Sequence, residues 1–524
     1  MKKVLSFILV VVLSIGLFGC GEKEETGEIA GTIEIGGSRE NFEPVEGGGI
    51  TTFSYRADTL CPILSNNTEN IEMLNIVYEG LVTLDSGLNP VEKLATGWSV
   101  SEDGLLWTVN LRDNIHWHDG TSFSARDVIY TVEQIKKSEY SYYKNNVSKV
   151  AEIDGEGNKV YFTLYNPCSN FVNLLTFPVV KYSESDIDKD NFNVCGTGPF
   201  VFSKVLEGNY YRLVKNEAWW GGLCFLDEIT VKLLPDRDTA LYAFTSGEID
   251  ICRADSEDWY KNLDSVNTSH LDVGSEEYIF LGLNNKRSPF TDGAVKYALS
   301  GMIDREDIIR KILSGKGIPA NVPVRDDWFM GNRDYTPKKN VVHAEEVLEN
   351  AGWHMNASGN YTKNVDGVYK TIAFDILVNK ENDARVKIAE EVAKALSELG
   401  VAVTVTKVDF SVYNDRIASG NYDAFIGEYK ISPELDFRFM LGEDNIFGYD
   451  NPKMYGLILK AKGARTKEEI IESYDEFGQF FRAVQPVIGI CFRNDIVVYN
   501  TRLKGILNPF GDHCFNDINN IFVN

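Results

Sequence analysis

A chain of 524 residues with 44% hydrophobic side chains can bury enough apolar surface for roughly two to four globular domains, which excludes a disordered protein. Its 77 Asp and Glu against 52 Lys and Arg leave a formal net charge of -25, spread along the chain. That excludes a nucleic-acid backbone as partner, because phosphate needs concentrated cations; the acidity reads first as solubility and second as a preference for cationic ligands.

Lys2 and Lys3 precede an apolar run from Val4 to Leu17, broken only by Ser6, Ser14 and Gly16, and then comes Leu17-Phe18-Gly19-Cys20. This is a secretory signal, shorter than the roughly 20 residues of a membrane-spanning helix. Leu-x-Gly-Cys resembles the lipobox of bacterial lipoproteins. The resemblance implies that residues 1–20 form the signal, with a diacylglyceryl group on Cys20 tethering an exported protein to the outer face of the cytoplasmic membrane. Residues 21–49 are rich in Gly and Glu with Phe42 as the one aromatic, so they read as a spacer, and the folded part is expected from Ile50. Seven further cysteines follow: Cys61, Cys168, Cys195, Cys224, Cys252, Cys491 and Cys514. An odd number leaves at least one unpaired, and none has C-x-x-C spacing, so each reads as a buried structural thiol.

In chain order, alternation predicts a strand over 107–111, His118-Asp119-Gly120 a turn, and Val128, Ile129, Val132 and Ile135 a helix over 125–136. Val295, Leu299, Met302, Ile308, Ile309 and Ile312 place a helix over 292–313, ended by Gly315 and Gly317. The clearest stretch is 371–429. Ile372, Phe374 and Ile376 alternate as a strand; Asn382 and Asp383 cap a helix striped by Val386, Ala389, Val392, Leu396 and Leu399; Gly400 ends it. Val401, Val403 and Val405 give a second strand, 412–419 a short helix and 422–428 a third strand. In such a βαβαβ unit ligands sit beyond the carboxyl ends of the strands, which points to the residues after Phe425. Gly104, Gly120, Gly196 and Gly198 suit positions where the backbone turns with positive φ.

A series of blocks in order carries a family resemblance: Ile76-Val77-Tyr78-Glu79-Gly80-Leu81-Val82, Trp117-His118-Asp119-Gly120-Thr121, Gly196-Thr197-Gly198-Pro199-Phe200, Trp219-Trp220-Gly221, Gly247-Glu248-Ile249-Asp250, Ile303-Asp304-Arg305, Ala351-Gly352-Trp353 and Tyr422-Asp423-Ala424. The chain from Thr51 to Asn524 resembles the family 5 extracellular solute-binding proteins, the dipeptide, oligopeptide and nickel binders of ABC importers. The resemblance implies an α/β, two-lobe periplasmic-binding-protein-like fold (type II, cluster C) with an extra domain inserted in the first lobe. It divides the chain into lobe I (50–80, 191–275 and 496–524), the inserted domain (81–190) and lobe II (276–495). The lobes are expected to close on a ligand in the cleft between them.

In peptide-binding relatives an aromatic follows the Tyr-Asp-Ala strand, and an aspartate three residues later pairs with the peptide's α-ammonium. Counting from Tyr422-Asp423 puts Tyr429 at the aromatic position and Ser432 at the aspartate position, with Glu428, Glu434 and Asp436 as the nearest carboxylates. Glu434 taken alone reads as a solvated loop carboxylate. On the opposite wall Cys61-Pro62 stands for the family's Asp-Pro, and Asn66 and Thr68 follow where relatives touch the ligand backbone. Tyr142 and Tyr143 fall where some relatives lay an aromatic over the ligand, and Phe410 and Tyr413 follow the second strand; ordinary packing is the plainer reading of all four.

His116 and His118 lie two apart on one strand face, but no third ligand is near, so both read as structural and no metal or other cofactor is expected. There is no Gly-x-Ser-x-Gly elbow, His-Glu-x-x-His or phosphate loop, so the protein reads as a binder and not an enzyme. The expected partners are a peptide or similar small polar organic solute, the permease subunits of an ABC importer, and the membrane through the lipid alone, with the protein a monomer. The alternatives are a non-peptide ligand such as a nickel chelate, haem or an oligosaccharide, and a peptide-signal sensor without transport.

Overall fold

The computed structural model describes residues 33–35, 43–55, 57–190, 192–206, 210–254, 267–328 and 336–524. Cys20 and its signal therefore lie outside the described residues.

The first lobe is built on a four-stranded sheet in the order Gly49–Ser54, Glu228–Leu233, Tyr210–Lys215, Phe200–Leu206. A second sheet sets Asp495–Asn500 between Ile251–Ala254 and Thr268–Val273. Within the stretch expected to be spacer, Ile33–Ile35 pairs antiparallel with Leu503–Leu507.

The segment between Gly49–Ser54 and Phe200–Leu206 forms its own antiparallel sheet, Ala95–Val100, Leu106–Leu111, Lys159–Leu164, Val150–Glu156. The helix Ala125–Lys137 covers it and begins on a capping box between Ser124 and Asp127, which satisfies donors the first helical turn leaves free. Trp107, Phe162 and Phe171 of this region share one continuous core with Ile50, Ile229 and Leu271.

The glycines of this lobe differ in purpose. Gly104 and Gly120 have φ of +74° and +82°. Gly196 and Gly198, in contrast, have no positive φ. A Cβ would lie 1.9 Å from the Val77 carbonyl oxygen at Gly196 and 2.7 Å from it at Gly198. Glycine is needed there because two backbones touch.

The second lobe centres on a six-stranded mixed sheet in the order Gly317–Pro319, Val487–Arg493, Glu277–Leu283, Ala424–Lys430, Ala373–Asn379, Ala402–Val408. Its last three strands, with helices Asp383–Glu398 and Phe410–Ala418, are the βαβαβ unit that the alternation predicts. The expected helix over 292–313 is two helices, Gly293–Met302 and Arg305–Ile312, because Asp304 turns out of helical geometry and caps the second through the Asp307 N–H. Apolar cores lie on both faces of the sheet. One packs on the helix Asp383–Glu398; the other is aromatic-rich under Pro452–Gly463 and Lys467–Val484.

The chain passes between lobes at 274–276, where Thr268–Val273 runs on into Glu277–Leu283, and at Asn494, between Val487–Arg493 and Asp495–Asn500. The Ser275 hydroxyl donates to the Arg493 carbonyl at 2.5 Å and ties these crossings together.

Candidate functional site

Ala424–Lys430 lies between the crossing strand Glu277–Leu283 and the parallel strand Ala373–Asn379, and the loop after it leaves the sheet at a carboxyl end. Alternation sends Tyr429 and Glu428 to opposite faces. Tyr429 stacks on Phe280 with ring centroids 5.6 Å apart and meets the edge of Phe439 at 4.7 Å. Glu428 points to the helix side, where Arg385 donates to it at 2.6 Å and Arg493 lies 3.7 Å away. Its charge is spent within the lobe.

Lys430 comes next. Its ammonium lies 2.5 Å from the Asp512 carboxylate and 3.1 Å from the Tyr142 hydroxyl, which itself donates to Asp512. One residue of the second lobe thus meets the C-terminal segment and the Tyr142 loop. Burial pushes the Asp512 carboxyl up, but Lys430 and Arg253 outweigh it and hold the group below the usual carboxylate range. Tyr142 is pushed up to about 12 by burial and by the Asp512 charge. Behind them Arg253 pairs with Glu72 and Asp495, and burial pushes His513 down to about 4.

The loop then folds on itself. The Leu435 N–H donates to the Ser432 carbonyl at 2.7 Å, with Leu435 at a φ of +51°. Glu434 is 6% exposed, so it is not a solvated carboxylate: Lys149, across the junction, lies 2.9 Å from its Oε1. Asp436 is 3.3 Å from Lys149 and 2.6 Å from Lys462, and Arg438 also pairs with it. Burial pushes Asp436 up, yet the hydrogen bonds from Arg438 and Lys462 and the nearby Lys149 hold it well below the usual range. The Asn173 side-chain amide donates to the Pro433 carbonyl at 3.3 Å from the same side as Lys149.

The other candidates divide. Tyr143 is buried edge-on to Tyr142 with centroids 5.2 Å apart. Tyr413 is buried and donates to the Ile426 carbonyl at 2.7 Å, whereas Phe410, stacked on it, is largely exposed. Asn66 and Thr68 stand at the start of the helix Thr68–Leu74, where the Asn66 N–H is held by Asp58 at 2.9 Å. His118 is occupied on both ring nitrogens, by the Gly198 carbonyl at 3.0 Å and the Gly196 N–H at 3.2 Å. No group of three metal-ligating side chains occurs among the described residues. All seven cysteines after Cys20 are buried and unpaired.

The segment 430–436 thus brings together Tyr142, Lys430 and Asp512 at one end and Lys149, Glu434 and Asp436 at the other. Lys149, Lys430 and Asp512 were not among the sequence candidates. Lys430 adjoins Tyr429 and was open to discovery from the strand alternation; Lys149 and Asp512 reach the loop from far along the chain, with no local signal.

The model of the bacterial extracellular solute-binding proteins, family 5 Middle, matches residues 89–441. The chain belongs to this family. It is 24% identical over 526 residues to the oligopeptide-binding protein AppA of Bacillus subtilis, covering 95% of this chain and 94% of that protein. Among solved structures, the unliganded open form of a periplasmic murein tripeptide binding protein superposes with a TM-score of 0.78 at 19% identity, covering 94% of this chain and 99% of that one. NikZ from Campylobacter jejuni in complex with Ni(L-His) gives 0.65 at 23% identity, covering 90% and 97%. The fold is that of the two-lobe periplasmic binding proteins, and the family is one that binds solutes.

Proposed function

We propose that this family 5 protein is an exported, Cys20-anchored receptor that captures peptides or comparable polar organic solutes between its lobes and delivers them to the permease of an ABC importer. The observation that carries the reading is the two-lobe build: two bodies joined by tied crossings at 274–276 and 494, with a polar and aromatic loop at a strand's carboxyl end facing the opposite body. The relative named for oligopeptides, alike over nearly its whole length, supports a peptide ligand. The lobes are taken as 50–80, 191–275 and 496–524 against 276–495, with 81–190 inserted, and the working form as a monomer.

Native mass spectrometry of protein purified without refolding tests the ligand class. A co-purified peptide is the expected result; a metal chelate or haem in its place would overturn the peptide reading and leave the binding fold standing. Replacing Cys20 by Ala should move the protein from the membrane fraction to the medium, and retention in the pellet would refute the lipid anchor.

A further inference from the structure

The charges around 430–438 are matched before any ligand arrives. Glu434 and Asp436 are the carboxylates of the loop that follows Ala424–Lys430, and three cations, Lys149, Lys462 and Arg438, pair with them. Lys149 precedes the strand Val150–Glu156 and crosses the junction to reach them. Its ammonium lies within 2.9 Å of Glu434 and 3.3 Å of Asp436, with side chains only 16%, 7% and 12% exposed. Ser432 carries no charge, and Glu428 is turned to Arg385. The charged side chains still partly exposed along this segment are cations: Lys430 at 39% and Arg438 at 41%.

We propose that Lys149 is a specificity-determining residue, a built-in ammonium seated on the loop carboxylates, so that the ligand end facing this loop carries no free ammonium. The class is a peptide with a blocked amino terminus, or a solute presenting a neutral or carboxylate end. The inference rests on the peptide-receptor reading above and deepens it. An incoming ammonium would find both carboxylates already paired and would have to displace Lys149 from Glu434, leaving a largely buried cation without its partner. An uncharged end, in contrast, requires no such displacement. Selection here works by exclusion as much as by attraction.

The experiment is a competition on the full-length protein between two forms of one synthetic pentapeptide library, free and N-acetylated, with the retained fraction read by native mass spectrometry. The wild type should retain the acetylated form at least as well as the free form. Lys149→Met should move the ratio about tenfold or more toward the free form, because Glu434 then lacks its ammonium while Asp436 keeps Lys462 and Arg438; Lys149→Arg should keep the wild-type ratio. A wild-type preference for free amino termini above about tenfold, or a folded Lys149→Met protein with an unchanged ratio, overturns the proposal while leaving peptide binding intact. Retention of neither form defeats the peptide reading itself, and the proposal with it. The wild-type ratio decides alone if Lys149→Met does not fold.

Discussion

Glu277 opens the crossing strand Glu277–Leu283, paired in register with Lys430, and its carboxyl is part-buried near Glu428. Burial first and the Glu428 charge second push it up to about 7, against the pull of Lys430 and Arg493. The folded protein therefore keeps a proton that the unfolded chain releases near pH 4.5. Stability falls as pH rises through that window, by at most roughly 3 to 4 kcal/mol at about 1.4 kcal/mol per pH unit. Glu277→Gln should raise the melting temperature at pH 8 and leave it nearly unchanged at pH 4.5; equal effects at both values would show that the charge is not responsible. At this scale the sequence was informative wherever a residue acts through its own strand. Tyr429 stands at the end of its strand as counting from Tyr422 indicates, but its neighbour Lys430 makes the cross-lobe contact. A loop carboxylate such as Glu434 is usually solvated, and its burial against Lys149, 285 positions away, is encoded by no local pattern.

Among elements, legibility follows the range of the interactions that define them. The βαβαβ unit was readable because alternation, the Asn382 cap and the stripe from Val386 to Leu396 are all local, and each agrees with the tertiary result. The apolar spacing predicts a single helix over 292–313 because it runs on through the break at Ile303 and Asp304. What the spacing hides is capping: the Asp304 side chain accepts from the Asp307 N–H and starts a new helix. Just after it, Arg305 turns inward and donates to the Gly489 carbonyl at 2.9 Å, fixing the second helix against the sheet. Asp304→Ala should cost about 1 kcal/mol in urea unfolding, the usual value of an N-cap, and Asp304→Asn much less. A loss as large for Asn as for Ala would mean that the side chain acts by something other than capping. The glycines teach a related lesson: Gly196 and Gly198 look like turn glycines, but what requires them is the Val77 backbone lying against them.

For the whole molecule the question is what holds the lobes at their spacing when the cleft has no solute. Beyond the tied crossings, contact comes from the hairpin Val82–Leu84 and Pro90–Glu92, whose tip places Leu88 in the aromatic-rich core that also holds Phe280, Trp328 and Phe425 of the second lobe. Leu88 is fully buried at a φ of +59°, a backbone state that a leucine holds only when packing over-determines it. Arg465 donates to the Asp103 carbonyl at 3.2 Å on the same side, and Lys149 meets Glu434 nearby. In the receptor proposed above, these contacts would bias the balance between open and closed lobes, which a ligand shifts only by its differential affinity for the two states. Leu88→Ala should remove about 2 to 4 kcal/mol of packing. Because that packing joins the lobes, the loss should appear as separation: a larger radius of gyration by solution scattering without ligand, and weaker apparent affinity for a solute that needs the closed form. Saturating solute should bring the radius back toward the wild-type value. A lower melting temperature with an unchanged radius would instead make Leu88 an ordinary core residue, and the hairpin would then have no part in setting how far the lobes stand apart.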